Sequence, residues 1–547
     1  MSTMRGRSPS RSRAPLLRGT RAPVLRGVAR ESLSGKDAEA PLDLTLRLRA
    51  ASGGLKASLQ AVLDGRREPF SRDELAERFG AAEADRLAVL RWAAKSRVDV
   101  VACDLPRRTI ELRAPAARLA RLFSVTLVRR RHGERSWLGH VGGVRLPAAL
   151  AGIVRGVVGF NQHPLATRHA APMSSAAPAT RLSFTAPEIA RYYGFPSGVD
   201  GRGQTIGVIA LGGGYRRQDL STFFRHLRVE HPRFTDVSVH GVRNAPAGPS
   251  KMADGEVTGD IETVGALAPG ARVVVYFGPN SERGFLETVS RAVHDRERRP
   301  SVISISWGSN EIHWTRSTLR HFDEVLAEAA AMGVAVCCAS GDHGAFADTG
   351  DWVPHVTFPG ASPHVLACGG TSLRRRGRKQ LDETAWHDAA GASGGGVSAI
   401  LPAPAWQDGT AVARGNGPAR RRGRHVPDVA ANADPESGYR VFVLGRWVVG
   451  AGTSASAPVW AGLVALMNQL RGSALGLITP RLYADRARLV RAGALRPVVK
   501  NQDGGSPSRR TWNRHTGLGV PHGKKLAAAL GEPARKARRR KVSSLRG

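Results

Sequence analysis

From Pro41 to Leu48 apolar and polar residues alternate, with Leu42, Leu44, Leu46 and Leu48 on one side. A period of two predicts a strand with one buried face. Ser71 and Glu74 then have the spacing of a helix capping box, and Leu75, Phe79, Leu87, Leu90 and Trp92 predict two helices broken near Gly80. Strand-like runs at Val98–Ala102, Thr109–Leu112 and Ser124–Val128 flank a helix expected over Ala114–Phe123. This order predicts a small α+β unit of ferredoxin-like type. A further helical stretch is expected at Pro147–Val158, followed by Asn161–Arg181, which is rich in Ala, Pro, Ser and His and has no sustained period. That composition reads as a linker.

Beyond the linker the pattern changes. Short, wholly apolar runs at Thr205–Leu211, Ala271–Phe277, Ser301–Trp307 and Gly333–Ser340 alternate with helical segments at Gln218–Leu227, Glu256–Leu267, Phe285–His294 and Ser317–Ala331. Alternation of buried strands with helices predicts an α/β fold, a parallel sheet covered by helices on both faces. In such sheets the active groups gather at the carboxyl ends of the strands.

Composition adds charge to this picture. The 547 residues carry a formal charge of +36, with 41% hydrophobic and 23% charged residues, a balance that excludes wholesale disorder or a fibrous repeat. The excess is densest at the ends: an Arg-, Ser- and Pro-rich arm over residues 1–40 and a basic tail over 532–547. Such arms are usually solvated, and the chain has no helix-turn-helix, zinc-finger or aromatic RNA-binding signature, so no specific nucleic-acid partner is expected. No run reaches the length of a membrane-spanning helix, and no standard signal peptide is readable in the Arg-interrupted start. Four cysteines in so long a chain, none in a Cys-x-x-Cys pair, build neither a disulfide scaffold nor a zinc site.

Three segments carry candidate chemistry. In Gly450–Gly462 small residues surround Ser454 at the start of an apolar helix with Pro458 in its expected first turn. Small neighbours admit a substrate backbone, and a helix N-terminus favours developing negative charge. The alternative for Gly-Thr-Ser is an ordinary N-cap turn. Glu256 and Asp260 are four apart on a helix that also carries Ile261, Val264 and Leu267. That spacing puts both carboxylates on one face, where mutual repulsion raises one pKa and suits a shared-proton relay; the alternative is a solvated acidic face. Asp342, in Ser340-Gly-Asp342, directly follows an apolar strand. It stands where a parallel sheet offers a polar group to its cleft, although Asp is also a common turn former.

Together with Asp254–Glu262, Ala268–Ala271, Val275–Phe277, Ser304–Gly308, Gly394–Ser398, Val426–Val429 and Gly452–Pro458 in the same order and intervals, these segments resemble the sedolisin family of serine-carboxyl peptidases, in its kumamolisin-like form. The resemblance spans about Leu42 to Leu530. It implies a subtilisin-like α/β catalytic domain over 182–531, a prodomain of the pro-kumamolisin type over 41–160 and a processing linker over 161–181. By the same resemblance Ser454 is the nucleophile, Glu256 its general base, Asp260 the residue that orients Glu256 and shares its proton, and Asp342 the acid of the oxyanion hole. Trp307, Gly308 and Thr357 line the substrate cleft.

The implied activity is an endopeptidase acting in acid, made as a self-processing zymogen, monomeric and secreted, with its own prodomain as intramolecular inhibitor and chaperone. The rival readings are a catalytically silent relative kept for binding and a basic nucleic-acid-binding protein on a protease scaffold. A His-dependent subtilisin is disfavoured, because no His-Gly-Thr-His segment is present.

Family members usually bind calcium near the C-terminus. Here the corresponding positions read Pro497, Val498, Arg509, Thr511 and Asn513, where loss of both acids and gain of arginine argue against calcium, with Asp503 the alternative ligand in a shifted register. No other cofactor is expected. Thr357 replaces the Asp that often precedes Phe-Pro in the specificity pocket. His343 replaces the more usual Ser, and as a cation beside Asp342 it would lower that carboxyl's pKa.

Overall fold

The computed structural model describes residues 15–25, 27–168, 174–175, 182–248, 253–346, 354–376, 380–389, 391–407, 423–498 and 512–531. The start of the basic arm, much of the linker, the tail, and Asp503, Arg509 and Thr511 lie outside them. The chain forms two compact units, one of residues 1–52, 78–163 and 315–321 and the other of residues 53–77, 164–314 and 322–547.

In the first unit, strands β1 (Pro41–Leu48), β2 (Asp99–Asp104), β3 (Thr109–Pro115) and β4 (Val154–Val158) form an antiparallel sheet in the order β2-β3-β1-β4. The helix Glu83–Ser96 lies between β1 and β2 in the chain, and Ala116–Leu122 between β3 and β4. This is the ferredoxin-like arrangement, with a hairpin of Thr126–His132 and Arg135–Val141 inserted before β4. Leu42, Leu44, Leu46 and Leu48 point into a core with Ile110, Leu112, Phe123 and Phe160. Thr45 and Arg47 are buried as well, so β1 is not half-exposed as its alternation predicts; the Arg47 guanidinium donates to the Arg107 carbonyl. The capping box at Ser71, which belongs to the second unit, forms in both directions, from Ser71 N–H to Glu74 and from Glu74 N–H to Ser71 Oγ.

The helix expected over Pro147–Val158 is absent. Only Ala148–Leu150 makes a single 3₁₀ turn, and Val154–Val158 is instead the edge strand β4. The β-branched run Val-Arg-Gly-Val-Val is too short for its period to separate helix from strand, and pairing with β1 decides it.

In the second unit, the strands β5 (Thr205–Ala210), β6 (Arg233–Ser238), β7 (Arg272–Phe277), β8 (Val302–Ile305), β9 (Trp307–Asn310), β10 (Ala335–Ala339), β11 (Leu366–Arg376), β12 (Gln380–Ala385) and β13 (Val429–Asn432) are the ones that matter for the site. The main sheet runs β6-β7-β5-β8-β10-β11, all parallel, with β13 parallel and β12 antiparallel on different stretches of β11. Val208 of β5 faces Val275 on one side and Ser304 on the other. Chain order thus reverses direction between β5 and β8, the switch point where an open parallel sheet leaves a crevice at its carboxyl edge.

Two helices carry the polar residues into that crevice, α1 (Ala253–Leu267) and α2 (Thr453–Arg471). Both are buried along most of their length because Val257, Ile261 and Val264 of α1 share a core with Ala457, Trp460, Ala461 and Val464 of α2. Gly462 makes the close approach possible: a Cβ there would stand 2.8 Å from Leu267 Cβ. Replacing Gly462 by Val is therefore expected to lower stability by about 1–3 kcal/mol, since overpacking forces the two backbones apart. The urea midpoint of purified protein checks this, and an unchanged midpoint would mean that the two helices have slack at this contact.

Candidate active site

Ser454 is the second residue of α2, and Gly452 before the helix has φ 108°, a conformation that favours glycine. Because the helix starts at Thr453, Pro458 lies inside it, in the second turn rather than the first. Proline has no N–H, so the Ser454 carbonyl four residues back loses its helical partner. Ser306, which follows β8, takes that place: its Oγ donates to the Ser454 carbonyl at 3.2 Å and lies 2.8 Å from Asp260 Oδ1. A hydroxyl has one proton to give, so Ser306 donates to one of these two acceptors at a time.

Burial favours the neutral form of Asp260. It is buried on α1, and burial pushes its pKa up to about 8, opposed only by the Ser306 hydrogen bond. Glu256, one turn earlier on the same helix, is buried too. A solvated acidic face is excluded for this pair.

Asp342 lies just beyond the carboxyl end of β10. Thr453 donates to its Oδ1 twice, from the backbone N–H at 2.8 Å and from the hydroxyl at 2.7 Å. The Thr453 hydroxyl in turn accepts the Gly341 N–H at 3.0 Å. The other oxygen, Oδ2, is buried with no hydrogen-bond partner among the described residues. Burial raises the Asp342 pKa to about 6; the Thr453 bonds and, more weakly, the charge of His343 pull it down without overcoming that. The effect expected of His343 is present and is the smaller one. A buried carboxyl oxygen with no partner is tolerable as a neutral acid, whose O–H is then free to donate.

Strand β9 meets an extended segment of the chain itself. Thr167 and Arg168 pair antiparallel with Gly308 and Trp307, and Asn280 clamps Ala166 by accepting its N–H at 2.8 Å and donating to its carbonyl at 2.7 Å. Of the stretch read as an aperiodic linker, Thr167–Arg168 and Ser174–Ser175 are short strands. Thr357 sits on a short strand paired with β9, opposite Asn310, and a Cβ on Gly341 would lie 2.7 Å from its hydroxyl. It therefore abuts the Asp342 loop.

Of the C-terminal positions compared with calcium ligands, Pro497, Val498 and Asn513 are described. Pro497 and Val498 offer no side-chain oxygen, and Asn513 Oδ1 is turned into its own loop, where it accepts the His515 N–H at 2.7 Å. Sequence reasoning missed Ser306 and Thr453 as parts of the site. The only available signal was the proline four residues after the nucleophile candidate, the spacing that frees its carbonyl.

Comparison with known proteins agrees with this architecture. The pro-kumamolisin activation domain matches residues 27–163, and the subtilase family matches residues 213–512. Kumamolisin of Bacillus sp. (strain MN-32) is 37% identical over 523 residues, covering 89% of this chain and 91% of that protein. Tripeptidyl-peptidase sed5 of Aspergillus fumigatus is 28% identical, covering 81% and 83%. The solved structure of Pseudomonas sedolisin, complexed with two molecules of pseudo-iodotyrostatin, superposes with a TM-score of 0.56 at 24% identity, over 64% of this chain and 99% of that one, a likeness that shows the fold. The chain belongs to the subtilase family, as a kumamolisin-like serine-carboxyl peptidase with a pro-kumamolisin activation domain.

Proposed function

We propose that this peptidase is an acid-acting endopeptidase that matures by cutting its own linker, with Ser454 as nucleophile, Glu256 as general base, Asp260 as the neighbour that shares its proton, and Asp342 as oxyanion donor. The observation that carries this reading is the buried Asp342 Oδ2, without a hydrogen-bond partner among the described residues while Oδ1 is anchored to the residue before Ser454. Ser454 Oγ bonds to the substrate carbonyl carbon as its proton passes to Glu256. The oxyanion accepts a hydrogen bond from neutral Asp342, a stabilisation that an ionised carboxylate would reverse. The amine leaves with the proton from Glu256. Water then attacks the acyl-serine, gives its proton to Glu256, and the acid and Ser454 are released. Glu256 must be ionised and Asp342 neutral at the same time, which confines the reaction to acid.

An extended segment on β9 supports endopeptidase action, because Thr167 and Arg168, which pair with it, are internal to the chain rather than at a terminus. The register runs from Gly308 to Trp307, and the next residue, Ser306, holds the backbone of Ser454. The scissile bond therefore falls one or two residues past Arg168. Ser454→Ala is expected to leave the precursor intact, whereas the unmutated protein in acid should yield a first new N-terminus at Ala170 or an adjacent residue, read by N-terminal sequencing. Maturation of the purified mutant would remove Ser454 from its role.

Asp342→Asn keeps a donor whatever the pH. The variant should be slower, since a lost oxyanion donor costs roughly 100- to 1,000-fold in turnover and an amide replaces it imperfectly. What activity remains should no longer fall as pH rises through about 6, where the native carboxyl ionises. Turnover measured from pH 3 to 8 checks this, and an unchanged profile would take Asp342 out of the mechanism.

Asp342 and Asp260 bind protons more tightly folded than unfolded, since 3.8 is the ordinary value for each and burial raises them to about 6 and about 8. Their contribution to stability is complete below about pH 4 and is lost as pH rises through about 6 and then about 8. The thermal midpoint should fall across that window. Chelator should not move it at any pH, because we also propose that the chain dispenses with the family's calcium, Pro497, Val498 and Asn513 supplying no carboxylate. A midpoint that rises with added calcium would overturn that, by mass action on a real site.

A further inference from the structure

A second pair of carboxyls lies outside the residues assigned above. Asp434 follows β13 and caps the turn Pro435–Ser437, its Oδ1 accepting the Glu436 N–H at 2.8 Å while the Ser372 hydroxyl donates to Oδ2. It is almost wholly buried. Its carboxyl is within hydrogen-bonding reach of Asp388, which sits in a small hairpin where Asp388 pairs with Gly391 and His387 with Ala392.

Each carboxyl belongs to a loop that touches the site. On the Asp434 side, the Ala433 carbonyl accepts the Gly452 N–H at 2.7 Å, one residue before Thr453. On the Asp388 side, Ala392 N–H donates to the Asp342 carbonyl at 2.9 Å and Gly394 N–H to the Gly341 carbonyl at 2.7 Å. Thr453 in turn holds Asp342 Oδ1. The contacts therefore form a closed ring: Asp342 to the hairpin, hairpin to Asp388, Asp388 to Asp434, Asp434 through Ala433 to Gly452, and Thr453 back to Asp342.

We propose that Asp388 and Asp434 are positioning residues, whose carboxyl–carboxyl hydrogen bond clasps the 386–394 hairpin to the turn before α2 and so holds Asp342 in register with Ser454. This rests on the roles proposed for those two residues. The bond needs a proton between the two acids; when it is lost, two carboxylates face each other and the ring opens at that point. Burial and the nearby Asp388 charge raise the Asp434 pKa to about 6. The facing side of β11 and β12 presents Ser372 and Thr384, with Arg374 and Asp382 one step further along. The hairpin adds His387, the turn adds Glu436, and no Lys, Arg or His pairs with Asp434 among the described residues.

The test uses matured enzyme and a peptide substrate, with turnover and KM followed from pH 3 to 8. If Asp342 and the clasp both ionise near pH 6, turnover should fall along the alkaline limb with a slope approaching about two protons. Asp434→Asn supplies a permanent donor to Asp388, so acid activity should stay within about 3-fold while the limb flattens to about one proton and extends upward. Asp388→Asn should do the same. Asp434→Ala should lose about 10-fold or more in turnover at acid pH with KM little changed, a split that uniform loss of fold would not give. Alkaline limbs of the same slope and midpoint in wild type and both Asn variants would overturn the proposal, as would full turnover in Asp434→Ala. If wild type shows no activity that Ser454→Ala abolishes, the peptidase assignment fails instead, so the two failures are distinguishable.

Discussion

Two hydrogen bonds from Thr453 to a single oxygen of Asp342 tie the proposed oxyanion donor to the helix that carries the proposed nucleophile. They join the end of strand β10 to the first turn of helix α2, two elements more than a hundred residues apart in the chain. By saturating Oδ1 they leave Oδ2 with no intramolecular purpose, and they aim it away from Thr453. The glycines around this joint follow from it: Gly452 turns the chain into the helix with a positive φ, and Gly341 lets its N–H reach the Thr453 hydroxyl.

Burial supplies the rest of the chemistry. A carboxyl in water is ionised at any pH where a serine peptidase would need an acid, and hydrogen bonds from Thr453 alone would keep Asp342 ionised still further down. Desolvation reverses that order and lifts both Asp342 and Asp260 into a range where a proton is available. The helix α1 achieves this by being enclosed along its whole length. Its other acids have structural partners: Asp254 accepts three backbone N–H groups, from Gly214, Ala247 and Gly248, and Glu262 accepts the Phe442 N–H, although burial still holds the Glu262 carboxyl well above the usual carboxylate range.

Much of this was legible in the sequence, and what was not has definite causes. The parallel strands and covering helices stood out because they are apolar runs of the right length, and Glu256, Asp260, Asp342 and Ser454 because their neighbours form recognisable segments. Strands β6 and β11 were passed over: Arg233–Ser238 is mixed in polarity, and Leu366–Arg376 begins apolar and ends in three arginines. Val154–Val158 was misread because a short β-branched run takes its state from a partner strand. Ser306 was invisible as a functional residue, since a serine closing an apolar strand has no spacing signature. Asp388 and Asp434 each look like turn residues, and only the fold brings them together.

Pro458 has a consequence for how this helix can evolve. An isolated α-helix gains from restoring a missing backbone bond, and almost any other residue at this position would donate an N–H to the Ser454 carbonyl. That donor would compete with Ser306 for the same acceptor and draw the first turn back into an ideal helical spiral. The first two turns of α2 are therefore frustrated by composition: the substitution that local helix energetics favours most is the one that would detach the nucleophile's backbone from the strand that positions it.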